Sequence, residues 1–243
     1  MIKRFIPNLI TLGNLFCGVE SVFASLALGD ARLAAIWICA GIFLDFFDGL
    51  SARLLNVPSE LGKQLDSLAD VVTSGVAPAF IMAKLVEDPL RGMMPQWGVL
   101  LTMIPFLLMP LFAAYRLAKF NIDTRQSHSF LGLPVPSNAL IWVGLAQTGY
   151  SVGSSAEAIV LAVVALATDV LMVSELPMFS LKFNFKDMSW RTNRVPYIFL
   201  AGCVVLIVAM LVAVGFRWVA LSLIIMWYIL LSIITQRRES HAE

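Results

Sequence analysis

The chain has 243 residues, of which 59% are hydrophobic and 14% charged, and its mean hydropathy is +0.85. So apolar a composition excludes an ordinary soluble domain or a disordered chain, and a net charge of +1 leaves no electrostatic footprint for nucleic acid. The three cysteines, Cys17, Cys39 and Cys203, all sit in apolar runs and read as small buried hydrophobes, with no disulfide or metal set among them.

Apolar runs predict helices over about 9–29, 32–55, 62–85, 97–120, 136–150, 155–174, 196–215 and 217–235. The fold expected is an all-α, polytopic integral membrane bundle of about eight transmembrane helices. It forms one membrane domain over 1–243, with a catalytic core over about 7–174 and two accessory helices over about 196–235. With the N-terminus cytoplasmic, only Arg32, Lys84, Arg91 and Arg217 of the 17 Lys and Arg residues fall on the outer side. The positive-inside rule therefore favours eight spans with both termini in the cytoplasm of the cell membrane.

The chain opens on Met1-Ile-Lys-Arg-Phe-Ile, a short basic and partly apolar stretch suited to a membrane surface. A cleaved signal peptide is the alternative, but Pro7, Asn8, Thr11, Asn14 and Glu20 interrupt the apolar run that follows. Asn8, Thr11 and Asn14 recur every third residue and form a polar stripe on one helical face. Such a stripe borders a polar site or makes interhelical hydrogen bonds.

The most informative stretch joins the second and third predicted helices. Asp45 and Asp48 are one turn apart, as are Asp66 and Asp70, so each pair shares a helix face. Between them, Asn56-Val57-Pro58-Ser59 reads as a turn, with Ser59 as N-cap of the next helix. Folding back at about position 57 brings Asp48 opposite Asp66 and Asp45 opposite Asp70, with all four carboxylates at one depth near the cytoplasmic surface. Clustered anions in apolar surroundings mark a functional site and require cations. An all-oxygen donor set favours magnesium, manganese or calcium over zinc or iron.

This stretch matches D-x2-D-G-x2-A-R-x8-G-x3-D-x3-D at every fixed position and so resembles the signature of the CDP-alcohol phosphotransferases. The resemblance implies an integral membrane enzyme that moves a phosphatidyl-type group from a CDP-linked lipid to an alcohol, releasing CMP. It implies that Asp45, Asp48, Asp66 and Asp70 hold two divalent cations, Mg2+ or Mn2+ with Ca2+ as a further candidate, and that Asp70 is also the general base. Gly49 and Ala52 would make room for the nucleotide, Arg53 would face its phosphates, and Asn8, Thr11, Asn14 and Gly62 would complete the nucleotide and diphosphate site.

The fourth helix ends in Tyr115-Arg116-Leu-Ala-Lys119-Phe-Asn121, with Arg116 and Lys119 on one face at the level of the aspartates. A basic face there suits an anionic lipid phosphate or an amino-acid carboxylate; the alternative is a headgroup anchor. Arg125 extends the same basic set, and Gly132-Leu-Pro134-Val-Pro136 stiffens the loop that follows. This run, and Pro7-Asn8 through Gly18, resemble the phosphatidylserine-synthase branch of the family. That branch implies CDP-diacylglycerol and L-serine as substrates, phosphatidylserine and CMP as products, and a homodimer in the bilayer. A glycerol-3-phosphate or inositol phosphate acceptor is the alternative within the family, and a divalent cation transporter using the same aspartates is the alternative outside it.

Farther on, Asp169 reads as a helix-end charge near the cytoplasmic surface, and 175–195 as a basic loop that sets topology. His128 reads as a solvated loop residue, and the last two helices, nearly devoid of polar groups, as packing or dimerisation elements.

Overall fold

The computed structural model describes residues 2–123, 130–178, 194–212 and 218–239. Among these residues the chain is helical almost throughout, because no water is available in a bilayer to satisfy exposed backbone groups. The elements are α1 (Ile2–Leu26), α2 (Ala31–Leu54), α3 (Glu60–Asp70), α4 (Ala77–Leu90), α5 (Gln96–Ile122), α6 (Val135–Gln147), α7 (Ser155–Val173), α8 (Arg194–Val212) and α9 (Val219–Glu239). A π-helical turn, Val71–Val76, joins α3 to α4 so that Glu60–Leu90 is one rod. Phe130–Leu131 (β1) pairs antiparallel with Pro177–Met178 (β2), a two-stranded clip that the all-α expectation did not contain. It ties the segment after α5 to the segment after α7.

Among the described residues five rods are long and apolar enough to cross a membrane: Phe5–Leu26, Ala31–Leu54, Glu60–Leu90, Gln96–Ile122 and Ser155–Val173. The chain is thus an all-α membrane protein. At 13 residues α6 is about 20 Å long, short of a ~30 Å hydrocarbon core, and the apolar stretches Arg194–Ala209 and Val219–Thr235 are also short.

The ends of the helices follow local chemistry. Asp30 caps α2 by accepting from the Leu33 N–H at 2.9 Å. Past Leu55 the chain reverses through Asn56, whose φ of 51° is a conformation asparagine tolerates better than most residues. Ser59 then caps α3 by accepting from the Gly62 N–H at 3.0 Å, as its place in the sequence predicts. The third rod runs to Leu90, past the predicted end at about 85, and Pro78 falls in the first turn of α4. The π turn lies just upstream of Pro78, where a wider helix accommodates a residue that lacks an N–H.

Helix α1 packs along α2 and also touches α3, the π turn and α4. Close approach is possible because the interface is built from small residues: Ala24, Ala34, Ala35, Ala77, Ala139 and Ala146 are all essentially inaccessible. A second, larger core joins α4, α5, α6, α7 and α9, with Phe106 edge-on to Trp142 at a centroid distance of 5.9 Å. Helix α9 lies on α6, and α8 lies on α9. The three cysteines are free, Cys17 buried and the others partly so, as the sequence predicts.

Two glycines bring the π turn onto α1 and α2. A Cβ on Gly18 would stand 2.6 Å from Thr73 Oγ1 and 2.9 Å from Thr73 backbone atoms, and one on Gly41 would stand 2.8 Å from Asn14 Oδ1. Thr73 sits in the space they leave and donates to the Asn14 carbonyl at 2.9 Å. Gly18→Ala should therefore destabilise the protein by about 1–3 kcal/mol, read as a lowered thermal midpoint in detergent, whereas Gly92→Ala, with nothing within 4 Å, should not. Equal midpoints for the two variants would show that the π turn does not need this close approach.

Candidate active site

The α2–α3 hairpin brings the predicted carboxylates together. Asp45, Asp48 and Asp66 each offer a carboxylate oxygen within 4.8 Å of the others. Asp45 is in side-chain contact with both Asp66 and Asp70. The polar stripe of α1 faces this cluster. Thr11 Oγ1 donates to Asp48 Oδ2 at 2.5 Å, and Asn14 Nδ2 donates to Asp70 Oδ1 at 3.1 Å. Thr11, Asn14, Asp48 and Asp70 are all buried. The Asn14 carbonyl in turn accepts from Thr73, three residues past Asp70, so the π turn, α1 and the last carboxylate form one linked unit.

Among the described residues none of the four carboxylates has a Lys or Arg partner within 4.0 Å; the ion pairs lie elsewhere. Asp66 Oδ1 and Asn14 Oδ1 are buried with no hydrogen-bond partner. Uncompensated carboxylates and open oxygen acceptors, with no imidazole or thiolate grouped with them among the described residues, are a donor set that fits hard divalent cations.

A cleft of about 280 Å³ opens beside the cluster. It is lined by Asn8, Thr11, Asp48, Gly49, Ala52, Arg53, Gly62, Lys63 and Asp66, together with the turn residues Val57, Pro58 and Ser59. The predicted nucleotide residues other than Asn14 thus converge on one wall-to-wall space. Gly49 and Gly62 keep it open: a Cβ on Gly62 would come within 3.0 Å of Ser59 Oγ and 3.2 Å of Asn8 Oδ1. Arg53 is exposed, and its Nε–H donates to the Gly49 carbonyl at 3.0 Å, which parks the guanidinium at the rim.

Arg116 is buried, with its guanidinium 5.4 Å from the Phe120 ring centroid. It lies within electrostatic reach of Asp70 and of Tyr228 on α9. Lys119 points elsewhere, pairing with Glu175 at 3.2 Å. Arg116 and Lys119 nevertheless share a small cavity with Leu131, Met172, Val173 and Ser174. Arg125 and His128 lie outside the described residues, as does most of the basic loop.

Asp169 is not the surface helix-end charge its position suggested. It is completely buried between α6 and α7, where Asn138 Nδ2 donates to its Oδ1 at 3.5 Å. The last two helices also do more than pack: Tyr228 faces Arg116, and Ser222 donates to the Ile141 carbonyl at 2.5 Å. Glu175, Tyr228 and Lys63 had no signal in the sequence as site neighbours. Lys63 Nζ donates to the Asn121 carbonyl at 2.8 Å, and Asn121 donates to Ser67 at 2.8 Å, so the end of α5 is fastened to α3.

A model of the CDP-alcohol phosphatidyltransferases matches residues 4–147, which contain the whole carboxylate cluster and cleft. The chain belongs to this family. It is a membrane transferase of phospholipid biosynthesis. Three proteins named CDP-diacylglycerol–serine O-phosphatidyltransferase illustrate its relatives. That of Bacillus subtilis (strain 168) is 38% identical over 145 residues, covering 60% of this chain and 77% of that one. That of Helicobacter pylori (strain ATCC 700392 / 26695) is 35% identical over 192 residues, covering 76% and 74%. That of the archaeal-type source Methanocaldococcus jannaschii is 30% identical over 173 residues, covering 70% and 75%.

Thr11→Val keeps the side chain's shape and removes the hydroxyl that Asp48 accepts. Because hydrogen bonds to charged groups contribute about 1.5–3 kcal/mol, the variant should unfold more readily by that order when divalent cations are chelated. An unchanged unfolding midpoint would mean that the Thr11–Asp48 bond does not hold α1 to the cluster.

Proposed function

We propose that this enzyme transfers a phosphatidyl group from CDP-diacylglycerol to the hydroxyl of L-serine, giving phosphatidylserine and CMP. The observation that carries the reading is the cluster of Asp45, Asp48 and Asp66, with Asp70 against Asp45, beside a cleft lined by the family's signature residues, in a chain whose relatives bear serine transferase names.

In this reading Asp45, Asp48, Asp66 and Asp70 hold two divalent cations, Mg2+ or Mn2+, or Ca2+. Bound there, such ions neutralise charge on the diphosphate and on the departing CMP. The chain's own groups do the rest. Asn8, Gly49, Ala52 and Gly62 shape the nucleotide pocket. Arg53 releases the Gly49 carbonyl and turns onto the diphosphate, a suitable task for a guanidinium at the rim. Asp70 accepts the proton of the serine hydroxyl, held in orientation by the amide of Asn14. Arg116 binds the serine carboxylate beside Asp70. Acyl chains leave the cleft sideways into the bilayer.

The cations near Asp70 favour serine over glycerol-3-phosphate or inositol phosphate. A phosphate-bearing acceptor calls for several cations, and beside Asp70 the near cation among the described residues is Arg116, while Lys119 is already paired with Glu175. A cation transporter is disfavoured because all four carboxylates lie on the α2–α3 turn side of the midpoints of α2 and of the Glu60–Leu90 rod. The charge distribution supports a single membrane domain of eight crossings, both termini and the site facing the cytoplasm of the cell membrane. The homodimer belongs to the same reading and rests on the family resemblance.

Purified protein in detergent, given CDP-diacylglycerol and manganese or magnesium, should release CMP with serine and not with glycerol-3-phosphate, inositol phosphate or no acceptor. Release with one of the phosphate acceptors instead would move the chain to another branch. Asp70→Asn should lower turnover by about 10²–10⁴-fold while the protein stays folded; substantial residual turnover would remove it as base. Arg116→Ala should raise the KM for serine more than that for CDP-diacylglycerol, and an equal rise in both would place Arg116 in another role.

A further inference from the structure

Asp169 and Asn138 form a buried polar pair that the mechanism above leaves unused. Both side chains are fully inaccessible, on α7 and α6. Their single mutual hydrogen bond is long, at 3.5 Å, and among the described residues Asp169 Oδ2 and Asn138 Oδ1 have no partner. Two helices that needed only a fastening would be served by a neutral pair with every atom satisfied. A carboxylate oxygen and an amide oxygen both left open, in a membrane-embedded core, form an acceptor-rich and negatively charged cradle.

Its place in the fold connects it to the acceptor side of the reaction. Asp169 stands three and four residues before Met172 and Val173, hence on the same face of α7. Those two residues line the small cavity that Arg116 also lines, and Arg116 in turn reaches Asp70. The Leu133 N–H donates to the Leu171 carbonyl at 3.1 Å and fixes the start of α6 against this part of α7. Along α7 the Asp169–Asn138 pair thus stands one helical turn from the residues that line the Arg116 cavity.

We propose that Asp169 and Asn138 bind the ammonium group of an amino-acid acceptor, and that this pair selects amino alcohols over phosphate-bearing ones. An ammonium group brings one positive charge and three N–H donors to two open acceptor atoms. A phosphate brings neither and would be repelled by Asp169. The inference rests on the serine reading and assigns the two ends of the zwitterion: carboxylate to Arg116, ammonium to Asp169 and Asn138.

The test compares serine with 3-hydroxypropanoate, which has the same hydroxyl and carboxylate but no ammonium. Wild-type protein should use serine with the lower KM. In Asp169→Asn, which keeps size and shape, the serine KM should rise at least tenfold, while the KM for 3-hydroxypropanoate and for CDP-diacylglycerol should each stay within about twofold. A parallel rise for both acceptors, or an unmoved serine KM, would overturn the proposal. Should Asp169→Asn fail to fold, as judged by its thermal midpoint, Asn138→Ser is put through the same pair of acceptors, with the same criteria. Wild-type protein that releases no CMP with serine would remove the reading on which the proposal rests, and the proposal with it. Serine-dependent release by the wild type with no change in the variants would remove the proposal alone.

Discussion

Four carboxylates held together in apolar surroundings constrain everything around them. Each would be expensive to bury singly, and together they repel. The fold answers by placing them on two antiparallel helices either side of one turn, by lining α1 with donors, and by leaving acceptors such as Asp66 Oδ1 open among the described residues. The small residues of α1, α2 and α4 follow from the same requirement. Only a close approach of backbones lets Thr11 and Asn14 reach across, and Gly18 and Gly41 provide it around Thr73. The π turn after Asp70 belongs to this arrangement as well, since it is where the third rod changes phase between the cluster and the apolar span that follows.

Much of this was legible in the sequence. Paired aspartates at helical spacing about a turn with a proline and a capping serine specify an antiparallel register, and Ser59 caps as expected. The stripe Asn8, Thr11, Asn14 announced a polar neighbour, and two of its members hydrogen-bond the aspartates directly. What was not legible depends on contacts between elements far apart in the chain. Asp169 lies near a helix end by count, yet its depth is set by how α6 and α7 pack, which periodicity does not encode. Lys119 and Arg116 share a helix face, but a partner 56 residues away draws Lys119 to Glu175. The β1–β2 clip is two residues long on each side, too short to leave a pattern in the sequence.

The geometry divides the site into two sides. The cleft beside Asp48 and Asp66 is polar, open and ringed by the family signature, as a donor nucleotide requires. The far side, around Asp70, Arg116 and the start of α6, is enclosed and, Asp70 apart, built from residues outside that signature. The first side is read from the signature, whereas the second, Asp70 apart, is built from helices that the signature does not reach.

The central claim is that the four aspartates form one divalent cation site. Electron paramagnetic resonance of free Mn2+, titrated against purified protein in detergent, tests it without reference to turnover. The account predicts that wild-type protein removes close to two equivalents of Mn2+ from the free signal and that Asp66→Asn removes distinctly fewer. Wild-type protein that leaves the free signal unchanged, or an Asp66→Asn variant that binds as the wild type does, would contradict it.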